Sequence, residues 1–338
     1  MLRFQAWPVP PTPALVERWA DFNATNPFCT AQFIDARIRV GERAYFLTLC
    51  DGDNLAAGCL GLLRGGFLGR RLQIPSMPIL PNADPFWQGV WQFCLDSGVW
   101  NLQVDTYAAP EGKIPSLPGE TSRRERLEYV LDLGKKNLRA DVSSNHRRNI
   151  ARAEKAGLTI RRTHDLADCS KHVSLMTASL ERRARRDEQV GLDDHSALAF
   201  ALLTSGAGEL FLALDGDEAL SSLLVLRSRS GAYYQSAGTS PRGMEVGASP
   251  FLICSVAGLL RQQGLQSFNL GGASPESTGL RRFKEGFGAR EVKLEAASFC
   301  PRPALQRQLR AALGTLREKQ KNTKRLAKSL LTSVGSLF

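Results

Sequence analysis

Lys284 stands between Phe283 and a Gly-Phe-Gly tripeptide, near the end of the stretch LGGASPESTGLRRFKEGFG, Leu270–Gly288. A lysine is a compact point charge on a flexible stem, so it suits an oxyanion or a terminal phosphate. Phe283 can stack on a flat ring or line a channel, and Gly286 and Gly288 let backbone approach a ligand. The glycine pair after the apolar run can hold an anion on backbone N–H groups. Such pairs also serve as ordinary turns. The stretch fits a phosphate cradle, a surface turn or the wall of an acyl-transfer site.

A second candidate is SPRGMEVGASP, Ser240–Pro250. Here a glycine-containing turn is expected to lead into a helix with Ser249 as N-cap and Pro250 at its first position. Unpaired N–H groups at Gly247, Ala248 and Ser249, with the positive end of the helix dipole, would then face an anion. Arg242 adds a fixed charge. On the helix expected at 146–157, Arg148, Arg152 and Lys155 share one face that can meet phosphates or solvent. The chain has no nucleophile elbow, Walker loop, HExxH or dinucleotide fingerprint. Its four histidines lack metal-ligand spacing, and no Ser or Cys has a recognisable base partner. Neither covalent catalysis nor a bound metal or tightly held cofactor is expected.

The elements that must position these residues read as α/β. YFLTLCDGDNLAAGCLGLL (45–63) and LFLALDGDEALSSLLVL (210–226) are both apolar strand, DGD turn, apolar strand. Asp-Gly is a strong hairpin signal, and the half-chain spacing predicts one α/β unit used twice. In the second half, helices are expected at 146–157, over HVSLMTASLERRARRDE, at 193–203 and at 249–264. Strands are expected at LTIRRT, GAYYQSAGTS and LQSFNLGG, with AREVKLEAASF closing the sheet. The first half is less regular, with Pro-rich and long loops at 75–85 and 108–123. The last 36 residues read as a helix with a leucine stripe, packed back on the first half or facing tRNA or an anionic membrane surface.

With 338 residues, 43% of them hydrophobic and 23% charged, the chain has the composition of a soluble protein of about two domains. Seven cysteines, odd in number and without a CxxC pair, point to a reducing, cytoplasmic setting. The N-terminus lacks the apolar run of a signal peptide. Residues 301–338 hold nine Lys or Arg and one Glu, so most of the net charge of +11 belongs to this tail.

VLDLGKKNLRADVSSNHRRNIARAEKAGLTIRR resembles the segment that opens the second half of FemABX-type aminoacyl transferases and the related BioF2-like acyltransferases. SFNLGG followed by GLRRFKEGFG resembles their late motif. The resemblance implies tandem GNAT-like domains, each a mixed central sheet flanked by helices, over residues 1–134 and 135–302. It also implies amide formation by acyl transfer to an amine. The donor is aminoacyl-tRNA in the first branch, with a cell-wall precursor or peptide-like acceptor, and acyl-CoA in the second. Asn269 stands where the peptidoglycan enzymes often have Asp, and Arg242–Gly247 only partly matches the GNAT turn.

On this reading Lys284 is catalytic. Phe283, Gly286, Arg242, Gly247, Ala248, Ser249, Arg148 and Arg152 meet the donor. Tyr234, Arg183 and Arg186 meet the acceptor, one of Tyr233 and Tyr234 pointing inward by strand alternation. Aminolysis of an ester needs no enzyme nucleophile; positioning and oxyanion stabilisation suffice. The reading of another class is a non-catalytic RNA- or membrane-surface-binding protein.

Overall fold

A computed structural model describes residues 2–8, 13–52, 54–66, 69–77, 84–107, 113–186, 196–274 and 276–302. The first half comprises β1 (Leu2–Pro8), α1 (Pro13–Phe22), α2 (Ala31–Arg39), β2 (Arg43–Asp51), β3 (Asn54–Gly66), β4 (Gly69–Met77), α3 (Asp84–Asp96) and β5 (Val99–Thr106). β6 (Glu120–Asp132) leads into α4 (Ser144–Lys155), β7 (Thr159–Thr163), α5 (Leu166–Ala184), α6 (Ser196–Thr204), β8 (Gly208–Asp215) and β9 (Glu218–Arg227). Then come β10 (Gly231–Thr239), α7 (Pro241–Val246), α8 (Ala248–Gln262), β11 (Ser267–Ala273), α9 (Thr278–Glu285) and β12 (Arg290–Phe299).

The twelve strands form one sheet in the order β1-β2-β3-β4-β5-β12-β6-β11-β10-β9-β8-β7. From either edge inward the pairings run antiparallel three times, parallel once, then antiparallel. The two DGD hairpins, β2–β3 and β8–β9, therefore occupy equivalent places. Gly52 and Gly216 turn them at φ of 57° and 58°, the region glycine enters without a Cβ penalty.

The last strand of each half lies inside the sheet. β12 pairs with β5 of the first half, β6 pairs with β11 of the second, and β6 and β12 pair with each other over ten residues. The segment expected to close the sheet thus joins the halves at its centre. β6 also occupies sequence expected to be loop up to Arg123. One buried cluster joins Trp19, Phe33, Phe46 and Leu60 of the first half to Cys169, Leu202, Leu210 and Leu224 of the second. Burying a Leu or Phe contributes about 1.5–3 kcal/mol, so each half depends on the other for strand pairing and core. The C-terminal helix expected beyond residue 302 lies outside the described residues.

Candidate functional site

The parallel pair at the middle of each half behaves differently. β4 and β5 stay paired from Arg70–Val99 to Met77–Thr106. β10 and β11 pair only over Gly231–Tyr233 with Ser267–Asn269 and then part. The gap opens into a cavity of about 560 Å³ between α4, α5, α7, α8 and α9, with a second of about 330 Å³ beneath it. Tyr234, Arg183, Leu180, Ala237 and Leu280 line both, so the two form one cleft.

The glycine pair lies within β11 and lines the lower cavity rather than forming a surface turn. It makes a bulge in β11, where the register against β6 shifts between Asn269 and Gly272. Gly271 takes φ 74°, which a side chain would strain. Beside it, the Gly272 carbonyl accepts from Lys284 Nζ at 2.6 Å. Lys284 lies on α9, a helix for which no element was expected, and is buried against the lower cavity with its Nζ 5.8 Å from the Tyr234 ring centre. Burial pulls its ammonium down to about 8, partly offset by the negative charge of Glu128 and reinforced by nearby Arg183.

Behind Lys284 is a buried polar cluster not anticipated in the sequence. Glu128 on β6 accepts from Arg126 at 2.8 Å and from Asn269 Nδ2 at 2.7 Å, and burial raises its carboxyl. Asn269 Oδ1 accepts from Gly271 N at 2.8 Å, which pins the bulge. An Asp at 269 could not donate to Glu128 and would set two carboxylates together. The amide of Asn269 is thus matched to Glu128. No local pattern marks the cluster, because Asn269 lies 141 residues from Glu128 and across a strand pairing.

Several expected donor residues take other positions. Ser249 is not the N-cap of α8; Gly247 is, at φ 78°, without a side-chain cap. The Ser-Pro start signal is used nine residues earlier, where Ser240 caps α7 and accepts from Gly243 N at 3.0 Å. Arg242 does not line the cleft: it ion-pairs with Asp215 and Glu218 of the second hairpin. Arg152 is spent on the Glu245 carbonyl at 2.8 Å, clamping α4 to α7, and Arg148 is exposed outside the cleft lining.

The GFG glycines serve packing rather than ligand approach. A Cβ on Gly286 would lie 2.7 Å from His146 Nε2, and one on Gly288 2.5 Å from Asp141 Cβ. His146 Nε2 also lies 2.7 Å from the Phe283 carbonyl and its ring meets Phe283 and Phe287, so α9 is seated on the start of α4.

Gly247, Ser249, Phe283, Tyr234, Arg183 and Arg186 do come together on the upper cavity. Ala248 is fully buried in the first turn of α8. Arg183 and Arg186, expected on the acceptor side, share the cavity with the α8 start. Tyr233 and Tyr234 both border the lower cavity, the Tyr234 ring beside Lys284 and the Tyr233 ring packed on Phe28 and Tyr107. Burial raises the Tyr234 phenol to about 12. Among the described residues no His, Cys, Asp and Glu cluster could hold a metal ion, and no helix is long and apolar enough to cross a membrane.

Residues 140–285 match the family described as acetyltransferase (GNAT) domain. Among solved structures, FemX is 13% identical, with a TM-score of 0.65 over 86% of this chain and 97% of that one. The C-terminal domain of a putative lysylphosphatidylglycerol synthetase from Agrobacterium fabrum is 17% identical, with a TM-score of 0.53 over 88% and 96%. A tandem GNAT protein from the clavulanic acid biosynthesis pathway is 9% identical, with a TM-score of 0.52 over 88% and 99%. No curated protein matches the chain by sequence. The fold and the matched segment define a tandem GNAT protein. Over most of its length the chain shares the fold of FemX, and its second half carries the segment matched to the acetyltransferase (GNAT) domain.

Proposed function

We propose that the protein forms an amide by moving an aminoacyl group from aminoacyl-tRNA to an amine of a peptide-like or cell-wall-precursor acceptor. The observation that carries this reading is Lys284, buried at the foot of the cleft where β10 parts from β11. The acceptor nitrogen attacks the ester carbonyl, and the C–N bond forms as negative charge grows on the carbonyl oxygen. A preorganised, partly desolvated ammonium stabilises that charge far better than water does. The ester oxygen then departs as the tRNA hydroxyl. Phe283, Tyr234 and Arg183 line the path to Lys284, and the division near residue 134 separates a supporting half from the reacting one.

The α7 helix bears on the donor. Its residues spend their N–H groups on local bonds, such as Gly243 to Ser240 and Met244 to Ser240, and Pro250 has none to offer. The turn that would cradle a CoA pyrophosphate is correspondingly poor, which favours tRNA. Acyl-CoA is the second donor, favoured by the α8 start at Ser249 on the cavity wall. The basic tail offers cations for tRNA phosphates or for peripheral contact with an anionic membrane.

Turnover with charged tRNA and with acetyl-CoA, read alongside mass spectrometry of co-purified ligand, tests the choice. Binding of charged tRNA is expected to weaken steeply with salt because counterions are released. Removing residues 318–338 is expected to flatten that slope. If truncation changes neither turnover nor its salt response while acetyl-CoA supports reaction, the tRNA reading fails.

A further inference from the structure

Ser236 lies on β10 beyond the point where that strand leaves β11, at the strand irregularity that follows Tyr234. It lines the lower cavity together with Lys284, Tyr234 and Gly272. Its Oγ is 2.9 Å from His172 Nε2. The His172 ring, on α5, is fully buried, and its Nδ1 is 2.9 Å from Ser222 Oγ on β9. The arrangement runs Ser222, His172, Ser236, from the core to the cleft.

This is a serine–histidine pair with a second serine where a hydrolytic triad has a carboxylate. Without that carboxylate nothing on the ring's far side stabilises an imidazolium. Burial also pulls His172 down to about 4, so the ring is neutral at physiological pH. Ser236 is therefore not equipped to become an alkoxide nucleophile by giving its proton to His172. A neutral imidazole has one N–H donor and one bare acceptor nitrogen. With the proton on Nε2, Ser222 O–H donates to Nδ1 and Nε2–H donates to Ser236 Oγ. The Ser236 hydroxyl hydrogen is then free to point into the cleft.

We propose that Ser236 is a catalytic proton shuttle for the transfer reaction, and that His172 is the residue that positions it. The proposal rests on the acyl-transfer reading above. As the amine nitrogen bonds to the acyl carbon, its proton passes to Ser236 Oγ. In the same step the hydroxyl proton of Ser236 passes to the departing oxygen of the donor ester, or sulfur of a thioester, as the carbon–oxygen or carbon–sulfur bond breaks. The serine ends as it began and no charge reaches the histidine. Lys284 serves the carbonyl oxygen while Ser236 serves the two exchanging groups, which gives the cleft separate partners for each site of changing charge.

The test uses the full chain with acetyl-CoA and with a charged tRNA pool as donors, and a panel of peptide amines as acceptors. Ser236→Ala is expected to lower kcat by at least about tenfold with little change in donor KM. Its melting temperature is expected to stay near wild type, and Ser236→Thr, which keeps a hydroxyl, to recover part of the loss. Independently of turnover, nitrogen-15 spectra of labelled histidine are expected to show His172 neutral and protonated at Nε2 from pH 6 to 9. Three results would each overturn the shuttle: unchanged kcat in Ser236→Ala, an Nδ1–H tautomer, or an acyl adduct on Ser236 after incubation with donor alone. A wild-type protein inert with both donors would remove the transfer reading and the shuttle together. Active wild type with an indifferent Ser236→Ala would remove the shuttle alone.

Discussion

At neutral pH a lysine titrating at about 8 is still roughly nine-tenths charged, so Lys284 is suited to act as the cation. If it stabilises an oxyanion, kcat falls as pH rises through about 8, and Lys284→Ala lowers turnover at least about tenfold. A rising limb at that pH would instead make the neutral amine the active form. Glu128 holds the lysine up against its burial, so Glu128→Gln is expected to move the falling limb to lower pH. Stability has its own sign. The folded lysine titrates below its ordinary 10.5, so between about 8 and 10.5 the unfolded chain holds the extra proton and stability rises with pH. Below 8 the full cost is present, at most about 3 kcal/mol, offset by a bond to Gly272 of about 1 kcal/mol. Lys284→Met is therefore expected to be inactive yet more resistant to urea at pH 7, an advantage that fades toward pH 10.5.

The cleft walls depend on helices brought together at glycines. Gly247 turns the chain between α7 and α8 in the left-handed region, and a Cβ there would lie 2.4 Å from the Asn149 carbonyl of α4. Gly247→Ala combines backbone strain with that clash, and a loss of about 1–3 kcal/mol is expected. Urea unfolding measures the loss, and weaker donor binding is expected with it, since Asn149 and Gly247 both line the upper cavity. Wild-type stability in this variant would show that α4 and α8 can separate freely. The same approach explains the missed helix. Leu280, Phe283 and Phe287 do fall at helical spacing, but Thr278–Glu285 is only eight residues long and carries two Arg, one Lys and one Gly, so the period is too short to stand out.

At the scale of the whole molecule, the halves exchange their last strands. Separately made fragments 1–134 and 135–302 each lack a neighbour for the strand at the sheet centre, and the cluster around Trp19 and Leu202 is cut. Each fragment alone is expected to aggregate or stay unfolded. Coexpressed, they are expected to form a soluble one-to-one complex, read by size exclusion and circular dichroism. A fragment that folds and unfolds cooperatively by itself would contradict this interdependence. The exchange also gives the site its reach, because Glu128 comes from β6 and Lys284 from α9, brought together by the pairing of β6 with β11 and β12.

What the sequence determined by itself was whatever is encoded within a dozen residues. The apolar–DGD–apolar hairpins, the helices ended by Gly157 and Gly264, and strands β10, β11 and β12 all follow from local period and turn chemistry. The late motif around Lys284 is contiguous too, which is why it could be singled out from the sequence. Only the tertiary structure decided which Ser-Pro pair capped a helix, for both Ser240-Pro241 and Ser249-Pro250 carry the signal and packing against α4 selects between them. It also decided that β10 parts from β11 while β4 stays with β5. That Arg242 serves a hairpin, that Asn269 meets Glu128, and that His172 meets Ser236, was likewise settled by folding. These are relations between side chains 27 to 141 residues apart. No local free energy specifies them; they exist only once strand register and burial have set the partners.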